Sequence, residues 1–281
     1  MKKVLIPTDF SKNADHAVDY ALNLYRCERT HFYFLHAYAD QAYELGKSKS
    51  KSEMDSIGKA LHDQTTAALE KTVERITDPL PNPRHHYEVV AVFDALVDAI
   101  NDLVEHENID LVIMGTQGAT GSKNVSVGSN TVQVFKYVKC PVLAIPEGYV
   151  YHEPKNILFP TDYQLPFKRR ELKLLDDMAG FFKSKIHCIY FTKFDTLSHR
   201  QSDNKLFLEK SLSRAYLSFG QEDDVNVLDG IAKYRANNEV DMIVIINSRN
   251  SFLENMLFRT TVDKMGLRTD IPLLVMQNVY R

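Results

Sequence analysis

The sequence predicts an α/β chain made of two tandem, doubly wound, five-stranded parallel sheets with helices on both faces. Three observations predict it. Short apolar runs of strand length alternate with segments whose apolar residues recur at helical spacing, the pattern of a parallel sheet wrapped in helices. The chain has 281 residues, 44% of them hydrophobic, enough for two domains of about 140 residues that each bury a core. The second half also repeats the first.

The chain opens Val4-Leu5-Ile6-Pro7-Thr8-Asp9-Phe10-Ser11, an apolar strand ending in a turn that carries a carboxylate. A helix follows, with Val18, Ala21 and Leu24 on one face. Leu35-His36-Ala37 ends a second strand. Residues 46–52 are polar and rich in Lys and Ser, a long helix runs to about residue 76, and residues 77–86 form a loop with three prolines. Leu111-Val112-Ile113-Met114 reads as a strand buried on both faces, Thr131 and Val132 begin a helix that runs to Val138, and residues 141–145 are the closing strand.

In the second half, Ile157-Leu158-Phe159-Pro160-Thr161-Asp162-Tyr163 matches residues 4–10 with Leu, Pro, Thr and Asp identical, and residues 271–276 echo 140–145. The opening strands are offset by 153 (157 − 4) and the closing strands by 131 (272 − 141), so the second copy is 22 residues shorter. The deficit falls between its second and fourth strands, where a helix near 205–219 and a short third strand at 225–228 are expected. The expected domains are 1–147 and 155–281, joined by a linker at 148–155 that contains Pro154.

The most informative motif is Met114-Gly115-Thr116-Gln117-Gly118 followed by Gly128-Ser129, a G-x2-G-x9-G-S spacing on a strand-to-helix connection. Glycine tolerates positive φ and has no Cβ to block close approach, and a helix N-terminus offers unpaired N–H groups and partial positive charge to an anion. Ser129 is expected to cap that helix and to offer its hydroxyl to a phosphate oxygen. The spacing is not a Walker loop, because the residues five after Gly115 and Gly118 are Thr120 and Lys123. Nor is it G-x-G-x-x-G, since Gly115, Gly118 and Gly121 are three apart. The alternative is a glycine-rich turn that holds no ligand.

Ligands of open parallel sheets bind beyond the carboxyl ends of the strands, where the order of strands reverses. Asp9 and the glycine loop meet at such a crevice. There the Asp9 carboxylate is suited to accept a hydrogen bond from a base amine or ribose hydroxyl, or to help hold Mg²⁺. Its alternative role is an Asx-turn that starts the helix.

The pairing of V-L-I-P-T-D-F-S with G-x2-G-x9-G-[ST] and a P-V-L-A-I strand resembles the universal stress protein family in its ATP-binding branch. In that family the Asp after the first strand and a backbone position ending the second hold adenine. The glycine loop and its hydroxyl residue hold ribose and phosphates. Carried over by position, the resemblance implies nucleotide contacts at Pro7, Thr8, Asp9, Ala37, Met114, Gly115, Gly118, Gly128, Ser129 and Asn130. It also implies the strand order 3-2-1-4-5 and pairing of the two closing strands, so that one chain mimics the dimer of single-domain relatives. Further pairing into a homodimer is compatible with it.

The second copy departs from the motif. After residues 242–246 it reads Asn247-Ser248-Arg249-Asn250, and Arg259-Thr260 stands in place of Gly128-Ser129. A Cβ at each position obstructs the close approach of phosphates, so one working nucleotide site is expected. Arg249 and Arg259 are either ligands of a smaller anion or solvated surface charges.

Net charge is −3, which argues against a general nucleic-acid or anionic-membrane surface. With no apolar run near 18 residues and no signal pattern at Met1-Lys2-Lys3, a soluble cytoplasmic protein is expected. Cys27, Cys140 and Cys188 are read as reduced packing residues, and His85-His86 as solvated loop residues without a metal. Three functions are weighed. In a nucleotide-binding regulatory module, ATP orders residues 116–127 and changes a surface that a protein partner reads. A slow ATP hydrolase or phosphotransfer enzyme needs a general base beside Lys123 and Asp9, and none stands out. A structural pseudo-dimer with an empty pocket leaves the glycines, Ser129 and Asp9 unexplained. Binding is therefore favoured over turnover, with no catalytic residue assigned.

Overall fold

The computed structural model describes residues 1–78, 80–116, 128–164, 166–192, 196–223, 226–247 and 270–278. The chain divides into two units, Met1–Gly148 and Tyr149–Arg281.

The first unit runs β1 (Lys2–Pro7), α1 (Lys12–Leu24), β2 (Thr30–Ala37), α2 (Ala39–Leu45), α3 (Lys51–Thr77), β3 (His85–Val92), α4 (Leu96–His106), β4 (Leu111–Gly115), α5 (Ser129–Tyr137) and β5 (Val142–Ile145). Its strands lie in the order β3-β2-β1-β4-β5 and pair in parallel throughout. The centre is fully buried: Val4, Leu5, Ile6, Phe32, Phe34, Val112 and Ile113 have no exposed surface. Such strands read as continuous apolar runs because both faces are covered. Helix α1 starts where the Ser11 hydroxyl accepts the Ala14 N–H at 3.2 Å, and buries Val18, Ala21 and Leu24 as their spacing predicts. Helix α3 opens with a reciprocal capping box between Ser50 and Glu53 and buries Leu61, Thr65, Leu69 and Thr72 on one face.

The second unit runs β6 (Asn156–Pro160), α6 (Arg169–Phe182), β7 (Lys185–Phe191), α7 (His199–Ser211), β8 (Tyr216–Glu222), α8 (Val227–Asn237), β9 (Met242–Asn247) and β10 (Leu273–Gln277). Its order, β8-β7-β6-β9-β10, is the same winding as the first unit's. The length deficit is visible between β7 and β9, where α7 alone stands in place of α2 and α3.

Three sequence readings are corrected. The helix expected over 205–219 ends at Ser211, and the third strand is Tyr216–Glu222 rather than 225–228; Val227 and Leu228 instead begin α8, and Val225 lies outside the described residues. Leu208 and Leu212 are buried at helical spacing and mimic a longer helix. As the edge strand of its sheet, β8 lacks the apolar run that marks a central strand, with Tyr216, Gly220 and Gln221 exposed. Cys27 is exposed in the turn after α1, whereas Cys140 and Cys188 are buried, and burial pushes the Cys188 thiol up to about 12.

The third correction concerns His85 and His86, which begin β3 instead of lying in a loop. His86 is exposed, but His85 is buried and donates from Nε2 to the Tyr25 carbonyl at 3.0 Å. Burial holds its pKa below the ordinary 6.5, the Tyr25 bond opposing. His31 and His187 shift the same way, again chiefly through burial. A histidine with a depressed native pKa contributes full stability above 6.5 and loses it as pH falls, because the unfolded chain takes up the proton first. Melting temperature is therefore expected to fall from about pH 7 towards about pH 5, with a shallower slope in His85→Gln. An unaltered slope in that variant would show that His85 does not carry the effect.

Candidate functional site

The carboxyl ends of β1, β2 and β4 and the start of α5 bring the described ones among the predicted residues of the first unit, all but Gly118, to one edge of its sheet. Pro7 is the last residue of β1, and the buried Thr8 leaves the strand with its N–H on the Leu35 carbonyl at 2.9 Å. The Thr8 hydroxyl accepts the Phe10 N–H at 3.0 Å, and the Asp9 carboxylate accepts the Ser11 N–H at 3.1 Å. This double turn holds Phe10 in the left-handed region, φ 61°. Asp9 thus makes the Asx-turn, while the helix cap itself is Ser11. Asp9 remains exposed at the sheet edge. Ala37, the other expected base contact, is the last residue of β2 and is half-buried.

Met114 and Gly115 end β4. A Cβ built on Gly115 would lie 2.6 Å from the Asn13 Nδ2 and 3.1 Å from the Asn13 carbonyl oxygen. The glycine is therefore required by the approach of α1, a contact within the protein. Asn13 was not singled out in the sequence, and no periodicity marks it, since it lies in the first turn of α1 among buried residues.

Beyond Gly115, the Thr116 carbonyl accepts the Gly128 N–H at 2.7 Å, and the buried Thr131 hydroxyl donates to the carbonyls of Gly115 at 3.1 Å and Thr116 at 3.2 Å. The residues flanking 117–127 are thus pinned to each other. Gly118 and Lys123 lie outside the described residues. The expectation that Ser129 caps α5 is corrected: the Val132 N–H bonds the Gly128 carbonyl at 3.0 Å, so Gly128 is the cap and Ser129 the first helical residue. Glycine brings no side-chain oxygen, and the first turn of α5 has no side-chain cap, leaving Ser129 and Asn130 exposed. An N-terminus so arranged is suited to an anion.

The second unit keeps the turn and fills the crevice. Thr161 accepts the Tyr163 N–H at 3.2 Å, Asp162 accepts the Gln164 N–H at 2.9 Å, and Tyr163 has φ 55°, as in the first unit. Strand register then identifies the counterparts. Pro7 pairs with Leu35 and Pro160 with Ile189, so Phe191 stands where Ala37 does. Leu5 pairs with Val112 and Leu158 with Ile243, so Ile246 stands where Gly115 does. Phe191 is buried against Gly230 of α8, where a Cβ would lie 2.4 Å from its ring. Beside Ile246, a small pocket is lined in part by Phe167, Lys168 and the buried Glu171, whose carboxylate accepts the Gln277 N–H at 3.4 Å. Ser248, Arg249, Asn250, Arg259 and Thr260 lie outside the described residues.

No group of three or more His, Cys, Asp and Glu among the described residues is placed to hold a metal ion, and no described helix is long and apolar enough to cross a membrane.

Residues 1–146 match the family model described as the universal stress protein family. Universal stress protein MJ0577 of Methanocaldococcus jannaschii is 25% identical over 152 residues, covering 51% of this chain and 94% of its own. Universal stress protein MJ0531 of the same organism is 28% identical over 144 residues, with 51% of this chain and 81% of its own covered. A solved universal stress protein from Archaeoglobus fulgidus shares the fold over 99% of this chain and 98% of its own, with TM-score 0.64 and 16% identity. The match to the family model takes in the Asp9 turn, the end of β2, the glycine spacing and the closing strand β5. It covers just over half of the residues, and on that ground the chain belongs to the universal stress protein family.

Proposed function

We propose that this chain is an ATP-binding regulatory protein of the stress response that holds one nucleotide, in its first unit. The observation that carries the reading is the contrast between matching positions. The first unit has the half-buried Ala37 at the end of β2 and an exposed Phe10 after Asp9, where the second has the buried rings of Phe191 and Tyr163.

In the first unit, Asp9 and the backbone at Ala37 would hold the base. Gly128, Ser129, Asn130 and, by its place in the motif, Gly118 would hold ribose and phosphates. The exposed Asp9 carboxylate also suits Mg²⁺ accompanying the nucleotide, as hard cations take oxygen ligands. ATP supplies negative charge that orders the residues around the α5 N-terminus, and a protein partner that prefers the ordered surface then reads nucleotide occupancy. That no second nucleotide is held and that the chain acts in the cytoplasm are parts of the same proposal.

Titration calorimetry of the nucleotide-free chain with ATP and Mg²⁺ tests it. One ATP per chain is expected, lost in a Gly118→Val, Gly128→Val double variant. Two nucleotides per chain would refute the single site, and no binding at millimolar ATP would leave a structural pseudo-dimer. Hydrolysis well above about 1 s⁻¹, the low end of ordinary enzymes, would make it an ATP hydrolase instead.

A further inference from the structure

We infer that His36 positions the base end of the first unit's site and that the exposed ring of Phe10 is the surface on which a purine base stacks. The inference rests on the nucleotide reading above and deepens it.

His36 immediately precedes Ala37, and its Nδ1 lies 2.7 Å from the Thr8 carbonyl oxygen. A carbonyl only accepts, so Nδ1 carries a proton and donates to Thr8. Together with the Thr8 N–H on the Leu35 carbonyl, this bond ties the end of β2 to the residue before Asp9. The distance between the two base-reading positions, the Asp9 carboxylate and the Ala37 backbone, is therefore set through His36.

Phe10 follows Asp9, and its ring centroid lies 4.9 Å from that of His36 with a tilt of 35°. Its left-handed backbone is unfavourable for a bulky side chain, yet Phe10 stays 37% exposed.

The second unit repeats the construction and closes it. Register places Tyr190 where His36 stands and Tyr163 where Phe10 stands, and their rings lie 6.0 Å apart. There Gln201 of α7 donates to the Asp162 carbonyl at 2.8 Å and to the Tyr190 hydroxyl at 3.2 Å, Asn204 donates to the Tyr163 carbonyl at 2.7 Å, and Tyr163 is only 2% exposed. Tyr163 is thus buried under α7, whereas its counterpart Phe10 stays exposed beside the Asp9 turn. An open aromatic face at the base end offers stacking to any base, while the hydrogen-bonding edge readers that His36 positions distinguish adenine from guanine.

The test uses the full chain, titrated with ATP and with GTP. The unsubstituted chain is expected to prefer ATP. His36→Leu removes the donor to Thr8 and should weaken ATP about tenfold while driving the ATP-to-GTP affinity ratio towards one. His36→Asn, whose amide donates from near the Nδ1 position, should restore both. Phe10→Gly relieves the positive φ and so keeps the fold, and should weaken ATP and GTP alike by about tenfold, whereas Phe10→Tyr should not. A ratio unmoved by His36→Leu, equal affinities in the unsubstituted chain, or undiminished ATP binding by Phe10→Gly would each overturn the inference and leave ATP binding standing. Failure of the unsubstituted chain to bind ATP would overturn the nucleotide reading itself.

Discussion

Ala37→Phe, which installs the residue found at the matching place in β7, is expected to weaken ATP binding by about a hundredfold or more, equivalent to roughly 2.7 kcal/mol. Ala37 ends β2 and is half-buried. In the second unit the corresponding phenyl ring packs on α8 through Gly230, a glycine whose added Cβ would meet that ring at 2.4 Å. Position 230 thus makes room for the ring. The matching helix of the first unit, α4, has no glycine. A phenyl group at position 37 is therefore left at the strand end, in the space assigned to the base. Because it replaces a side chain that is not part of the core, the variant should retain nearly the melting temperature of the parent. Calorimetry with ATP and a thermal melt decide the matter together: an unchanged affinity in a folded variant would show that the base does not lie at the end of β2.

Gly115→Ile, again the second unit's residue at its counterpart, is expected to destabilise the first unit by about 3 kcal/mol, at the upper end for overpacked sites. The Cβ would lie 2.6 Å from the Asn13 amide, which can swing away, but also 3.1 Å from the Asn13 carbonyl, which belongs to α1 and can move only with the helix. Asn13→Ala should accordingly recover only the amide's share of the loss, and a double-mutant cycle measures that share. Urea unfolding gives the stability directly. A change below about 0.5 kcal/mol, the range of substitutions that disturb nothing, with ATP binding lost, would mean that the glycine serves the phosphates rather than α1. The two variants separate a site that is blocked from a fold that is strained.

Much of the fold was legible because fully buried strands leave an unmistakable trace. Val4-Leu5-Ile6 and Leu111-Val112-Ile113 are apolar on both faces, and each is a central strand of its sheet. The edge strand β8 was misread because exposure removes the apolar run that marks a strand, and His85 was misplaced because its burial depends on Tyr25, a residue distant in sequence. The Asp9 turn, the end of β2 and the Gly128 helix start were legible as motif. The assignment of the cap to Ser129 failed by one residue, since which carbonyl begins a helix is decided by backbone geometry rather than by residue type.

By itself, the sequence determined the alternation of strands and helices and the spacing of the family motif, because hydrophobic periodicity and motif spacing are local properties of a chain. Only the tertiary structure decided why Gly115 must be glycine, that His36 holds the Thr8 carbonyl, and that Phe191, Tyr163 and Gln201 fill in the second unit what Ala37 and Phe10 leave open in the first. Each of these joins residues far apart in sequence, and such contacts come into being only when parallel strands are set in register and helices are laid across them.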